Sequence, residues 1–199
     1  NSAVERLTEM GLTYPCTCTR KDIEGALSAP QEGAPLGPDG VIYPGTCRNL
    51  DPNRKMDIVP AIRLNMSKAV AGMGNLEFAD IGSIHEGSYE FAASNLIETC
   101  GDIVLSRRDI GTSYHVAVVV DDAAQNVTHV TRGADLFSAT QIHVLLQRLL
   151  GLPTPVYRHH RLIRDENGRR LAKRDDARAI ATYRAEGATP KDIRLMVGL

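Results

Sequence analysis

The chain opens on a helical pattern. In "SAVERLTEMG", Val4, Leu7 and Met10 recur at three-residue steps, and Gly11 stands where a helix stops. Lys21 to Ala29 reads as a short helix, and "APQEGAPLGPDG" after it is a turn-rich loop. Ile62, Leu64 and Met66 alternate as a strand, and "LEFAD" and "DIVLS" read as two more. Then the character changes. "YHVAVVVDD", Tyr114 to Asp122, is a near-continuous apolar run, which predicts a strand covered on both faces of a parallel sheet. "VTHVTRG" follows as another strand. Ser138 and Gln141 make a capping-box pair ahead of Ile142, Leu145, Leu146 and Leu149 at helical spacing, closed by Gly151 and Pro153. "VYRHHRLI" is a strand, and "DENG" turns into "RRLAKR". Two helices finish the chain: one carries Ile180 and Tyr183 and ends at Gly187, the other takes Thr189 as cap and Pro190 in its first turn.

This order predicts an α/β protein in two parts. Residues up to about 112 read as a mixed module, and the rest as half of a nucleotide-binding sheet. At 199 residues the chain can bury a substantial core, and its longest apolar stretch, "VAVVV", is far too short to span a bilayer. No secretory signal pattern is visible, so a cytoplasmic location is expected. The formal net charge is −1, which rules out a globally basic nucleic-acid binder. A local basic stretch remains between Arg158 and Arg178, rich in arginine but interleaved with Asp165, Glu166, Asp175 and Asp176.

The four cysteines change the picture more. Cys16 and Cys18 lie too close together to pair comfortably, and a chain of this length does not need disulfide staples. Zinc fits better: structural sites draw thiolate and imidazole ligands from two short turns, here "YPCTC" and "YPGTC". Cys16, Cys18 and Cys47 give three ligands. No histidine precedes His85, so the fourth comes from elsewhere, with Tyr43, Asp39 and Asp51 near enough in sequence. Cys100 reads as a buried free thiol.

Taken together, "YPCTCTRKDI", "YPGTCR", "TSYHVAVVVDDAAQNVTHVTRGADL" and "RRLAKR", in this order, resemble the glutamyl-Q tRNA(Asp) synthetase family, class I enzymes related to the catalytic core of glutamyl-tRNA synthetase. The resemblance covers nearly the whole chain. It implies a zinc held by Cys16, Cys18, Tyr43 and Cys47 in a structural role. It implies that Tyr114 and Arg132 contact glutamate. It implies that "RLAKR" is a KMSKS-type ATP loop, Arg170, Leu171, Ala172, Lys173 and Arg174, with Lys173 meeting the triphosphate. Ala172 and Asp176 depart from the usual residues of that loop. Asp121 and Asp122 are expected to be structural carboxylates, and His159 and His160 receive no role.

The implied reaction activates glutamate with ATP and magnesium, then transfers the glutamyl group to queuosine in the anticodon arm of tRNA(Asp). The implied architecture is the second half of a class I Rossmann-type domain with an inserted zinc-bearing module and a short helical end. Its parts are residues 1–13, the end of a helix from the first half; 14–112, the module; 113–163, the second half; and 164–199, the ATP loop and closing helices. A monomer is expected. No HIGH-type stretch occurs, so the chain is expected to be a fragment, inactive alone. The alternatives are a catalytic-core piece of ordinary glutamyl-tRNA synthetase and a non-catalytic zinc-bearing RNA-binding module.

Overall fold

Helix α1 (Ser2–Glu9) turns Val4 and Leu7 inward, as its three-residue spacing predicts. The structure, a computed structural model, describes residues 2–27, 35–164, 168 and 179–198. After α1 come strand β1 (Thr13–Cys16), helix α2 (Arg20–Leu27) and a hairpin of β2 (Leu36–Gly37) and β3 (Gly40–Val41). Strand β4 (Ala61–Leu64) pairs antiparallel with β1 on one side and with β7 (Val104–Arg107) on the other. Strand β8 (Gly111–Thr112) completes this first sheet, in the order β1-β4-β7-β8.

The second sheet has the order β6-β5-β10-β9. Strands β5 (Asn75–Asp80) and β6 (Gly87–Ala92) form an antiparallel hairpin, while β9 (His129–Gly133) and β10 (Val156–His160) run parallel. Parallel neighbours require a crossover. Helix α6 (Thr140–Leu150) supplies it, and Gly151 ends the helix in the left-handed region at φ 61°. Strand β5 alternates strictly: Leu76, Phe78 and Asp80 point in while Asn75, Glu77 and Ala79 point out. The second sheet thus draws β5 and β6 from before residue 112 and β9 and β10 from after it.

One apolar core serves both sheets. Leu64 and Leu105 from the first meet Phe78 and Tyr157 from the second, with Ile142, Leu145 and Leu146 of α6 over them. A smaller cluster of Tyr14, Cys16, Tyr43 and Cys47 stands apart. At the C-terminal end, α7 (Ile180–Ala185) precedes α8 (Pro190–Met196). Thr189 and Asp192 form the capping box of α8, each side chain accepting from the other's backbone N–H at 3.3 and 2.8 Å.

Three local expectations are overturned. The run from Tyr114 is not a strand but helix α5 (Tyr114–Ala124), which packs against α6 and α1. A short apolar run does not reveal its own period. Here His115, Val116 and Val119 fall on one buried helical face. Valine's helix penalty is a fraction of a kcal/mol, against roughly 1.5–3 kcal/mol for burying each large apolar side chain. Asp121 and Asp122 therefore sit in the last turns of a helix rather than at a strand end. Second, Ser138 does not cap α6: the cap position is Ala139, without a side-chain bond. The helix grows directly out of the 3-10 turn Ala134–Leu136, leaving no extended residue for a cap. Third, Met66 leaves the strand and starts the short helix α3 (Met66–Ala69), because Asn65 accepts from the Lys68 N–H at 3.1 Å and caps it. Helix α4 (Leu96–Thr99) bridges β6 and β7.

Candidate active site and metal centre

The first site is the thiol cluster at the end of β1. Cys16 ends the strand, Cys18 follows in the loop, and Tyr43 and Cys47 come from the turns after β3. The three Sγ atoms lie within 4.8 Å of one another. Tyr43 Oη lies 3.4 Å from Cys16 Sγ and 3.3 Å from Cys18 Sγ, and accepts from the Cys47 N–H at 2.8 Å. Cys18 and Cys47 Sγ are 3.5 Å apart, and all four cysteines are free thiols. Tetrahedral zinc with sulfur at about 2.3 Å and oxygen at about 2.0 Å has ligand–ligand edges of about 3.5–3.8 Å. The donor set fits that tetrahedron. Asp39 and Asp51 do not join it: Asp39 engages His115, and Asp51 accepts from the Asn53 N–H at 2.9 Å.

The surroundings push the donors in different directions. Burial pushes the Cys47 thiol up, but hydrogen bonds from Tyr43, the Thr17 backbone and Cys18 outweigh it and bring it down to about 6. Burial and the surrounding thiols push Tyr43 up, and burial takes Cys18 up to about 11. Cys47 is therefore the donor whose surroundings most favour the thiolate that a cation binds. The frame around the cluster is cationic. The Arg63 guanidinium stacks 3.9 Å from the Tyr43 ring centroid, and Arg108 donates to the Cys16 and Cys18 carbonyls at 3.3 and 2.8 Å. Behind it, buried Asp102 accepts from Arg48 Nε at 2.7 Å, from the Tyr14 hydroxyl at 2.5 Å and from the Met66 N–H at 2.8 Å.

The second site centres on Arg132, at the C-terminal end of β9. It is 9% exposed. Its Nε donates to His159 Nε2 at 3.0 Å, one terminal nitrogen to His143 Nδ1 at 2.8 Å, and the other to Thr140 Oγ1 at 2.6 Å. Its guanidinium also lies over the Tyr157 ring, 5.0 Å from the centroid. His159 Nδ1 meets the buried Asp80 carboxylate, whose Oδ1 accepts from the Gly82 N–H at 2.7 Å. Gly82 runs so close to β10 that a Cβ there would lie 2.2 Å from the His159 carbonyl oxygen. On the other side, His143 Nε2 and His115 Nδ1 are 2.9 Å apart, and His115 Nε2 meets Asp39 Oδ1 at 2.7 Å. Burial pushes the His143 imidazole down to about 2, and burial likewise lowers His159. Arg132 thus forms no ion pair among the described residues; every acceptor on it is uncharged.

Tyr114 stands at the start of α5, 52% exposed, its ring 5.8 Å from that of His143. His143 is therefore the side chain that Tyr114 and Arg132 share. Arg170, Leu171, Ala172, Lys173 and Arg174 lie outside the described residues. The sequence reading missed Asp80, His115, His143 and His159. One signal was available: in the parallel register of β9 and β10, Arg132 and His159 are direct partners. Nothing local announces His143 or Asp80.

The comparisons with known proteins concern the chain as a whole. The family model "tRNA synthetases class I (E and Q), catalytic domain" matches residues 1–199. A glutamyl-Q tRNA(Asp) synthetase from Rhodobacter capsulatus is 60% identical over 99% of this chain. Proteins of the same name from Nocardia farcinica and Geobacter sulfurreducens are 39% and 40% identical over 96% and 92% of it. The chain spans 70% of the first relative's length, 57% of the second and 53% of the third. Among solved structures, a glutamate-tRNA synthetase from Elizabethkingia anophelis shares the fold with a TM-score of 0.57 over 87% of this chain and 36% of its own, at 22% identity.

Proposed function

From the premise that the chain belongs to the class I (E and Q) tRNA synthetase catalytic-domain family, we propose that it serves glutamate activation and transfer to queuosine in the anticodon arm of tRNA(Asp). A carboxylate oxygen of glutamate attacks the α-phosphorus of ATP, and pyrophosphate leaves. A queuosine hydroxyl then attacks the acyl carbon, and AMP leaves. The architecture that goes with this is the second half of a class I nucleotide-binding domain carrying an inserted tRNA-facing module, and the working form is a monomer.

The observation that carries the reading is Arg132: a buried guanidinium whose neighbours are two imidazole nitrogens and a hydroxyl. A buried guanidinium with no carboxylate among its hydrogen-bond partners, and with Asp122 acting on it only through space, favours an anionic ligand. Of its five N–H groups three are taken, which leaves one on each terminal nitrogen to grip a substrate carboxylate. Tyr114, exposed beside His143, offers a hydroxyl to the same ligand. Lys173, within Arg170–Arg174, pairs with the triphosphate of magnesium-bound ATP. Cys16, Cys18, Tyr43 and Cys47 would hold zinc, which supplies folding energy to the module and orders the arginines around it.

The test is labelled glutamate with ATP, the full-length protein and three RNAs: tRNA(Asp) with queuosine, the same tRNA without it, and tRNA(Glu). Label on the queuosine-containing RNA alone is expected. Label at the 3′ end of tRNA(Glu), with none on queuosine, would move the assignment to ordinary glutamyl-tRNA synthetase. RNA binding without glutamate-dependent ATP–pyrophosphate exchange would make the protein a non-catalytic module. Among the described residues no helix is long and apolar enough to cross a membrane.

A further inference from the structure

The hydrogen-bond network around Arg132 has a fixed direction. A guanidinium only donates, so His159 Nε2 and His143 Nδ1 must both present lone pairs to it. His159 then carries its hydrogen on Nδ1, toward Asp80. His143 carries its hydrogen on Nε2 and gives it to His115 Nδ1, and His115 keeps its own on Nε2 for Asp39. Each arm therefore runs outward from the cation to a carboxylate, with at least one imidazole between. Asp80 is buried in β5, and Asp39 sits half-exposed in the two-residue turn of the β2–β3 hairpin.

The placement of the carboxylates matters. An aspartate directly on Arg132 would hold it equally well but would also neutralise it and compete with an incoming anion. Imidazole acceptors fix the guanidinium plane and leave its charge for the ligand. We propose that His143 and His159 are positioning residues that aim Arg132 at the substrate carboxylate, and that Asp39, through His115, steadies the His143 arm from the hairpin. This rests on the glutamate-binding role proposed above for Arg132. It extends the site to the β2–β3 hairpin, whose Asp39 lies 76 residues from His115 in sequence.

Position 143 separates the hypotheses, because glutamine and glutamate have the same shape there. Gln offers an uncharged acceptor and a donor, as His143 does; Glu places a charge on Arg132. In the full-length protein, glutamate-dependent ATP–pyrophosphate exchange is measured for the wild type, His143→Ala, His143→Gln, His143→Glu, Asp39→Ala and Arg132→Ala. His143→Ala is expected to raise KM for glutamate roughly tenfold, the order expected for one lost hydrogen bond to a charged group, with KM for ATP within about twofold. His143→Gln should recover most of this, and His143→Glu should be worse than His143→Ala. Asp39→Ala, on an exposed turn that can lose its side chain without a cavity, should raise KM for glutamate about threefold. Arg132→Ala impaired with His143→Glu equal to His143→Gln, or with Asp39→Ala and His143→Ala both unchanged, would overturn the positioning role alone. Absence of exchange in the wild type, or an unimpaired Arg132→Ala, would overturn the reading of Arg132 and this proposal with it.

Discussion

The thiol cluster and the Arg132 cluster differ in how the chain builds them. The first draws its donors from two turns, Cys16 and Cys18 in one, Tyr43 and Cys47 in the other, and its chemistry shows in the spacing. The second takes side chains from β5, α5, β9, α6 and β10 and from a hairpin turn, and only the topology brings them together. The difference in construction implies a difference in failure. The turns have little apolar packing of their own, so the metal would supply their order. The Arg132 cluster hangs from sheet and helices that fold for other reasons, so damage there should cost function before fold.

The largest effect that could break this contrast concerns the metal. Cys16→Ser, or chelation of the wild type, should release one zinc per chain and remove amide protection from the turns around Cys18, Tyr43 and Cys47, while the strands that share the main core keep theirs. Structural zinc contributes of order 10–16 kcal/mol in small domains. Elemental analysis with hydrogen exchange reads both halves of the claim. Metal-free protein with the turns around Tyr43 and Cys47 fully protected would sink it.

Next in size are the substitutions at the groups proposed to bind ATP and glutamate. Lys173→Ala in the full-length protein is expected to lower the exchange rate by roughly two to three orders of magnitude, as for removal of one preorganised electrostatic contact. Arg132→Ala should cost about as much in kcat/KM for glutamate, with a change in melting temperature far smaller than that of Cys16→Ser. A collapse of the fold on losing Arg132 would erase the distinction between the two regions.

Gly82 sharpens it further. The backbone of the β5–β6 connection meets β10 so closely there that Asp80 accepts from both the Gly82 and the His159 N–H groups, at 2.7 and 3.3 Å. Gly82→Ala must separate them and draw Asp80 off His159. A loss of about 1–3 kcal/mol by chemical denaturation is expected, as for overpacking, together with a raised KM for glutamate. An unchanged midpoint would show that the close approach is dispensable.

These residues also show what the sequence could and could not reveal. The strands at "LEFAD" and "VTHVTRG", the body of helix α6 and the Thr189 cap were legible because period and end signals are local, while the capping box came at Thr189 and Asp192 rather than at Ser138 and Gln141. Helix α5 was misread because a five-residue apolar run carries no period of its own, and the packing of Val116 and Val119 against neighbouring helices decided the matter. Arg132 was singled out through family resemblance, but its imidazole partners were not. His143 lies on the buried face of an ordinary amphipathic helix, where a histidine in sequence reads as one more polar interruption. Asp80 looks like the polar end of a strand until β10 is laid beside it.

The smallest effect is the most specific to the buried histidines. In the folded chain, burial and the Arg132 charge hold His143 at about 2, whereas an unfolded histidine titrates near ~6.5. A group with a depressed folded pKa contributes its stability above the unfolded value and loses it as pH falls. Below about pH 6.5 the unfolded chain gains a proton at this position that the native chain refuses, so stability should drop with a slope approaching about 1.4 kcal/mol per pH unit. Other acid-sensitive groups, the thiol cluster and Asp80 among them, bend the same curve, so the wild type alone does not isolate His143. His143→Gln does: it keeps the uncharged contacts and removes the titration. Between pH 7 and 6 the wild type should already lose about 0.7 kcal/mol relative to His143→Gln. From pH 6 to 5 the wild type should lose about 1 kcal/mol more than His143→Gln, measured by denaturant midpoint at each pH. Parallel curves down to pH 5 would mean that His143 takes up its proton in the folded state, which the donor-only guanidinium beside its Nδ1 should forbid.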